Sequence, residues 1–215
     1  MILYAQVKSL LQTATRNSQT NPLELIIVTL SWMQKKIKNP QQKHLNSKVS
    51  AALVASQNQL AKGYALHQQG NLVEAKNAYL ESIKLHPHNF EALQLIGTLC
   101  AQSRQSAEAL RYFDQAIAVN DTNPSVFNNR GIVLMELRQA DLALRSYERA
   151  IALKHDYPEA HSNKGNALQA LNQLVFANTS YIWAIALRPD FADTYNNQGV
   201  VLNRIGAFAK AIISF

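Results

Sequence analysis

The sequence is poor in the features that mark secreted, disulfide-stapled or membrane-spanning proteins. Its 215 residues include one cysteine, so no disulfide can form within the chain, and we expect a reducing, cytoplasmic setting. The most apolar segment, Leu23–Met33, contains Glu24 and is shorter than the roughly 20 residues that a membrane span needs. It also lacks the basic leading stretch and the cleavage site of a secretion signal.

Recognisable catalytic and metal-binding patterns are lacking as well. There is no glycine-rich phosphate loop, no Ser/His/Asp order and no carboxylate pair with a supporting site. His86 and His88 flank Pro87, but zinc sites need three or four ligands and no third is evident nearby. Cys100 is expected to be a buried, inert core residue. We therefore predict a chain that is not an enzyme and has no cofactor, metal or small-molecule ligand.

Acidic residues are scarce at the start of the chain only. The net charge is +7, and residues 1–55 hold seven lysines and arginines against Glu24 alone. Residues 56–215 are nearly balanced, with 14 basic and 13 acidic residues. A phosphate-binding surface along that larger part is not supported, so we expect no nucleic-acid partner.

Glycine is rare but strictly spaced. Five of the seven glycines lie 34 residues apart, and each is followed by an alanine after 12 residues and a ring after 16. The glycines are Gly63, Gly97, Gly131, Gly165 and Gly199; the alanines are Ala75, Ala109, Ala143, Ala177 and Ala211; the rings are Tyr79, Phe113, Tyr147, Tyr181 and Phe215. A period of this length indicates stacked helical repeats.

Each period contains two helical patterns joined by short turns. In the third repeat, Phe127, Gly131 and Leu134 form one apolar stripe, and a second stripe surrounds Tyr147. Glycine and alanine are expected to let the two helices approach closely, while the ring fills the space between repeats. Gly70 and Gly206 are predicted to end first helices, Pro87 and Pro189 to follow second helices, and Pro124 and Pro158 to start first helices.

These residues resemble the tetratricopeptide repeat, whose pattern reads Trp-x2-Leu-Gly-x2-Tyr, then Ala-x3-Phe, then Pro. The resemblance implies an all-α, right-handed α-solenoid of helix–turn–helix repeats over residues 50–215, divided at about 56–89, 90–123, 124–157, 158–191 and a partial 192–215. The family's leucine is replaced by Lys62, Arg130, Lys164 and Gln198, whose apolar stems can cover the core while their polar heads reach water.

Residues 1–49 lie outside the repeat and form a basic segment. We predict a helix over the apolar stretch Leu23–Met33, packed on the first repeat, and a polar linker over Asn39–Lys48. A basic surface helix that binds an acidic membrane is the less favoured alternative.

A face of asparagines is the main candidate for binding. We call the five glycines spaced 34 residues apart the comb glycines, and their series the comb. Asn129, Asn163 and Asn197 each lie two residues before a comb glycine and point away from the apolar stripe. The first helices are expected to line a concave surface. Amide side chains offer two donors and one acceptor, which suits the main chain of an extended peptide. The full set of predicted binding residues is Asn128, Asn129, Asn163, Asn166, Asn196, Asn197, Asn203 and Arg204.

The segments FNNRG, HSNKG and YNNQG resemble the asparagine ladder in the repeat arm of O-linked N-acetylglucosamine transferases and their bacterial relatives. The resemblance implies peptide binding by Asn129, Asn163 and Asn197. In the other interpretation these asparagines are tolerated polar residues or bond their neighbours across repeats.

Two functions follow as hypotheses. In the first, the chain is a non-catalytic scaffold that holds an extended peptide or protein segment in a concave groove. In the second, it is the substrate-recruiting arm of a larger glycosyltransferase. The second fits the position of Phe215, which falls on the ring position of an unfinished helix, so we expect the chain to be a fragment.

Overall fold

The computed structural model of this chain describes the backbone of residues 40–213 and the side chains of residues 46–206. The predicted helix over Leu23–Met33 and the ring at Phe215 lie outside that part. Contacts divide the chain into two units, one ending at Val54 and one beginning at Ala55. All the packing described below lies within the second unit.

Helices make up every regular element of the described backbone. They are α1 (Pro40–Gln68), α2 (Leu72–Leu85), α3 (Phe90–Gln102), α4 (Ser106–Val119), α5 (Pro124–Glu136), α6 (Ala140–Leu153), α7 (Pro158–Ala170), α8 (Leu174–Leu187) and α9 (Ala192–Ile213). α3, α5 and α7 each pack on the helix that follows them as its pair, and each second helix from α2 to α8 packs on the first helix of the following pair. The prediction of an all-α fold built from paired helices is confirmed.

Four of the five comb glycines make room for the ring of their own repeat. A Cβ at Gly131 would lie 2.4 Å from the Cε1 atom of Tyr147, and one at Gly97 would lie 2.8 Å from the Cε1 atom of Phe113. Both rings are fully or almost fully buried. The close approach that we predicted is therefore an approach of a ring to a helix backbone, and the glycine is needed because any side chain would occupy the space of the ring.

The turn within each helix pair contains a residue in the left-handed conformation. Gly70 has a φ of 80°, and Arg104, Arg138 and Asn172 follow at the same register with φ of 58°, 59° and 59°. In the third repeat the amide of Arg138 donates to the carbonyl of Met135 and the amide of Gln139 to that of Leu134. These bonds satisfy carbonyls that the end of α5 would otherwise leave unpaired. The prediction for Gly70 is confirmed.

The predicted prolines mark the helix ends as expected. Pro124 and Pro158 stand at the first positions of α5 and α7, where a missing amide hydrogen costs nothing. Pro87 and Pro189 follow the ends of α2 and α8.

Two boundary predictions are wrong. Residues 40–48, expected to be a linker, belong to α1, because Pro40 occupies the first turn, where it is tolerated. Gly206, expected to end a first helix, lies inside α9, which continues to Ile213. A single glycine costs a helix only about 1 kcal/mol relative to alanine, which is too little to stop a helix that Ala207 can continue.

Polar heads that we expected in water instead bind the preceding repeat. The Nε of Arg130 lies 2.7 Å from Asp114 Oδ1, the Nζ of Lys164 lies 3.1 Å from Glu148 Oε1, and Gln198 donates to Asn178 at 3.0 Å. Arg130, Lys164 and Gln198 are half-buried, whereas Lys62, for which the same burial was predicted, is exposed. Partly exposed ion pairs of this kind contribute about 0–1 kcal/mol each, so they set the register between repeats more than they stabilise them.

Candidate functional site

The predicted asparagines lie on α5, α7 and α9, the first helices of the last three repeats. α7 contacts both α5 and α9, and α5 and α7 also contact their own second helices. We call the surface on which they meet the first-helix face. The polar side chains of this face come from adjacent repeats. The predicted asparagine ladder requires this arrangement.

Two hydrogen bonds join asparagines of successive repeats. The Nδ2 of Asn163 donates to the Oδ1 of Asn128 at 3.0 Å, and the Nδ2 of Asn197 donates to the Oδ1 of Asn166 at 3.1 Å. The alternative in which these amides bond across repeats thus describes Asn163 and Asn197 correctly. Each donor uses one of two amide hydrogens, so its second hydrogen and its carbonyl oxygen can still contact a ligand.

A core ring extends to this face through its hydroxyl. The hydroxyl of Tyr181 contacts the Oδ1 of Asn166 at 2.8 Å and the Oε1 of Gln169 at 3.0 Å. Burial raises the pKa of Tyr181 to about 12, so the hydroxyl remains protonated and able to donate at neutral pH. The amide of Asn166 is therefore held from the core side by Tyr181 and from the next repeat by Asn197.

An open polar cleft of about 640 Å³ lies between α7 and α9. An arginine supplies the charge of its lining, and its Nη2 donates to the Oδ1 of Asn172 at 2.8 Å. The lining residues are Asn166, Gln169, Ala170, Asn172, Asn197 and Arg204. The cleft is thus amide-rich and carries one positive charge, a surface that can donate and accept hydrogen bonds but cannot repel an acidic ligand.

The structure brings three of the eight predicted residues into this cleft, namely Asn166, Asn197 and Arg204. Asn128 is buried beneath Asn163, and Asn129 is half-buried on α5 outside the cleft. Asn196 and Asn203 are exposed on α9 and do not line it.

Three residues of the cleft were missing from the predicted set: Gln169, Ala170 and Asn172. Asn172 carried a usable signal, since it stands 34 residues after Arg138 and 102 after Gly70, and asparagine tolerates the left-handed conformation. That register places its side chain at the end of α7, next to α9.

The other titratable candidates have structural roles. Burial raises the pKa of the Cys100 thiol, which keeps the thiol protonated. His161 stacks on Trp183 with ring centroids 6.1 Å apart, and its Nε2 donates to the carbonyl of His155. Burial lowers the pKa of His161. Among the described residues, no group of three His, Cys, Asp or Glu side chains could hold a metal ion. No helix in the described part is both long and apolar enough to cross a membrane.

Stacked helix pairs with a 34-residue period define an α-helical repeat protein. Comparison with family models gives the repeat type: residues 60–125 match a tetratricopeptide repeat model and residues 139–172 match a TPR repeat model. Residues 60–125 and 139–172 are therefore tetratricopeptide repeats. Among curated proteins, no sequence matches significantly.

Solved structures share this fold at low sequence identity. The MamA protein of Desulfovibrio magneticus RS-1 is 20% identical, with a TM-score of 0.68 over 74% of this chain and 89% of that one. YrrB, described as a TPR protein with an unusual peptide-binding site, is 24% identical, with a TM-score of 0.63 over 69% and 76%. The first TPR of Spaghetti (RPAP3), bound to the HSP90 peptide SRMEEVD, is 22% identical, with a TM-score of 0.54 over 54% and 93%.

Proposed function

We propose that this chain is a non-catalytic interaction scaffold that holds an extended segment of a partner protein on the first-helix face. The observation that carries the proposal is the amide-lined cleft between α7 and α9. Its amides are held in place by Asn197, Tyr181 and Arg204, so they are oriented before a ligand arrives. Prior orientation lowers the entropy that binding must overcome.

The chemistry of the cleft suits a peptide main chain. Side-chain amides donate to backbone carbonyls and accept from backbone amides, whatever side chains the peptide carries. Arg204 adds one positive charge, so acidic segments are favoured over basic ones. Two structural relatives, YrrB and RPAP3, are described as peptide-binding. They support the proposal through their fold.

The test begins with a peptide selected on the full chain from a display library of unstructured sequences. The combined substitution Asn197→Ala and Arg204→Ala should weaken its binding at least about tenfold, because each lost hydrogen bond is worth about 0.5–1.5 kcal/mol. Fluorescence anisotropy of the labelled peptide measures the affinity. Circular dichroism checks that the helices are intact.

Asn203→Ala is the matched control, since Asn203 is exposed on the same helix but does not line the cleft. Its affinity should stay within twofold of the unchanged chain. Equal losses in both variants, or no loss in the double variant, would refute binding at the cleft.

The recruiting arm of a glycosyltransferase remains a second prediction. It rests on the asparagine segments of α5, α7 and α9, and neither the matched family models nor the structures named above add support for it. The coding sequence beyond Phe215 tests it, because a nucleotide-sugar-binding domain there would be required.

A further inference from the structure

The outward side of α8 is an apolar surface that the repeat fold does not require. We call it the α8 outer face and define it by Val175, Phe176, Thr179, Ile182 and Trp183. The exposed fractions of Val175, Phe176, Ile182 and Trp183 are 66%, 64%, 51% and 57%. The whole helix, LVFANTSYIWAIAL, contains no charged residue.

The preceding second helix shows what the fold needs at these positions. At the same registers α6 carries Asp141, Leu142, Arg145, Glu148 and Arg149, all exposed. The buried sides of the two helices are nearly identical: Ala143, Ser146, Tyr147 and Ala150 in α6 correspond to Ala177, Ser180, Tyr181 and Ala184 in α8. Packing of the repeat therefore does not account for the loss of four charges from the outer side.

A continuing array would not cover this face either. α6 is followed by the complete helix pair α7 and α8, and its five outward residues remain exposed. The same register on α8 would stay exposed beneath another repeat. The occupant must come from outside the stacking direction.

The exposed apolar area of the α8 outer face is close to the apolar area that one subunit contributes to a homodimer interface. Taking about 150–250 Å² for each aromatic side chain, the exposed parts of Phe176 and Trp183 and of the aliphatic neighbours add up to roughly 450 Å². A standard interface buries about 800 Å² per partner, and homodimer interfaces are about 65% apolar. A copy of the same face supplies the required apolar area without needing any matching charge.

The shape of the α8 outer face also fits a second copy of itself. A cleft of about 390 Å³ lies beside it, with Phe176 and Trp183 at its edge and Leu144, Ile151 and Leu168 among its walls. The Trp183 ring stacks on His161 at this edge. The cleft is also lined by the Lys164–Glu148 ion pair. Each copy thus offers exposed rings and a recess with apolar walls that can receive them.

We propose that the α8 outer face is a homodimer interface, in which α8 of one copy packs on α8 of a second copy about a two-fold axis near Thr179. A symmetric contact of this kind closes on itself and needs no other surface. It lies on second helices, away from the first-helix face, so it neither requires nor blocks the proposed peptide site.

The test is the mass of the full chain in solution, measured by light scattering and sedimentation. The unchanged protein should be a dimer. The double variant Ile182→Glu and Trp183→Arg, which installs the residues found on α6, should raise the dimer dissociation constant at least about 30-fold, as expected for a central aromatic anchor. Val73→Asp is the control, because Val73 is an equally exposed apolar residue at the Val175 register of α2.

A dimer that persists in the double variant, a loss of dimer in the Val73 variant, or a monomeric unchanged chain overturns the proposal. Cross-linking gives a second measurement, which does not rely on charged substitutions that could destabilise the fold. Thr179→Cys should form covalent dimers with a short bismaleimide, whereas Arg145→Cys at the same register of α6 should not. Cys100 is fully buried and will not react. Equal yields from the two cysteine variants also overturn it.

Discussion

At the scale of single residues, a glycine without a Cβ allows the ring of the second helix to pack against the first helix in each of the first four pairs. The rings of Tyr79, Phe113, Tyr147 and Tyr181 all lie against a glycine of the preceding helix, at distances that leave no room for a Cβ. The free energy lost on replacing such a glycine by alanine is therefore set by the clash with the ring. The replacement destabilises the fold only if that clash costs more than the gain in helix propensity.

Gly131→Ala should destabilise the fold by up to about 2 kcal/mol, because overpacking costs about 1–3 kcal/mol and alanine returns about 1. The added methyl group would meet the Tyr147 ring at 2.4 Å. The change is measured as a lower urea midpoint by circular dichroism.

Gly199→Ala is the matched comparison for that substitution. Gly199 is also a comb glycine, but among the described residues a Cβ there has no neighbour within 4 Å. This variant should be as stable as the unchanged chain or gain up to about 1 kcal/mol. Equal destabilisation by the two alanines would mean that the ring contact is not the reason for the comb.

At the scale of the element, the comb and the prolines were sufficient to predict the helix pairs and most of their limits, while some turns were not predictable. The glycine at position 70 predicted a left-handed conformation, but Arg104 and Arg138 adopt the same conformation although they are not glycines. Their conformation is imposed by the packing of the helices that they connect. The reverse error occurred at Gly206, where a glycine suggested an end but the helix continues.

Arg138→Gly should stabilise the fold by about 0.5–1 kcal/mol, because glycine adopts a positive φ without the steric cost that other residues incur. The φ of 59° at this position supplies the strain that glycine would relieve. Thermal unfolding should move upward by about 2–4 °C for each kcal/mol in a chain of this length.

Arg138→Ala separates the backbone effect from loss of the arginine side chain. Alanine removes the same charge but keeps the Cβ, so it should give no comparable gain. If the alanine variant is stabilised as much as the glycine variant, then strain at this turn does not limit stability.

At the scale of the whole molecule, periodicity identified the repeat array and the helices that carry the asparagines, but not the cleft itself. The predicted ladder was Asn129, Asn163 and Asn197, with Asn128 as a neighbouring binding residue, yet Asn128 is buried and accepts the hydrogen bond of Asn163. Side-chain partners across repeats depend on how neighbouring helices are offset, which a 34-residue period does not specify. The α8 outer face was not predicted because the buried side of α8 has nearly the same residues as that of α6. The repeat pattern, which describes buried positions, therefore does not mark the exposed apolar side.

The central claim is that the amides of the cleft hold the main chain of a bound peptide, and a double-mutant cycle tests it most directly. The cycle combines Asn197→Ala with N-methylation of the backbone amide at the centre of the selected peptide, and calorimetry gives the four affinities. We predict a coupling of at least about 0.5 kcal/mol, because both changes remove the same hydrogen bond. Strictly additive losses at every methylated position would contradict main-chain recognition by the asparagines.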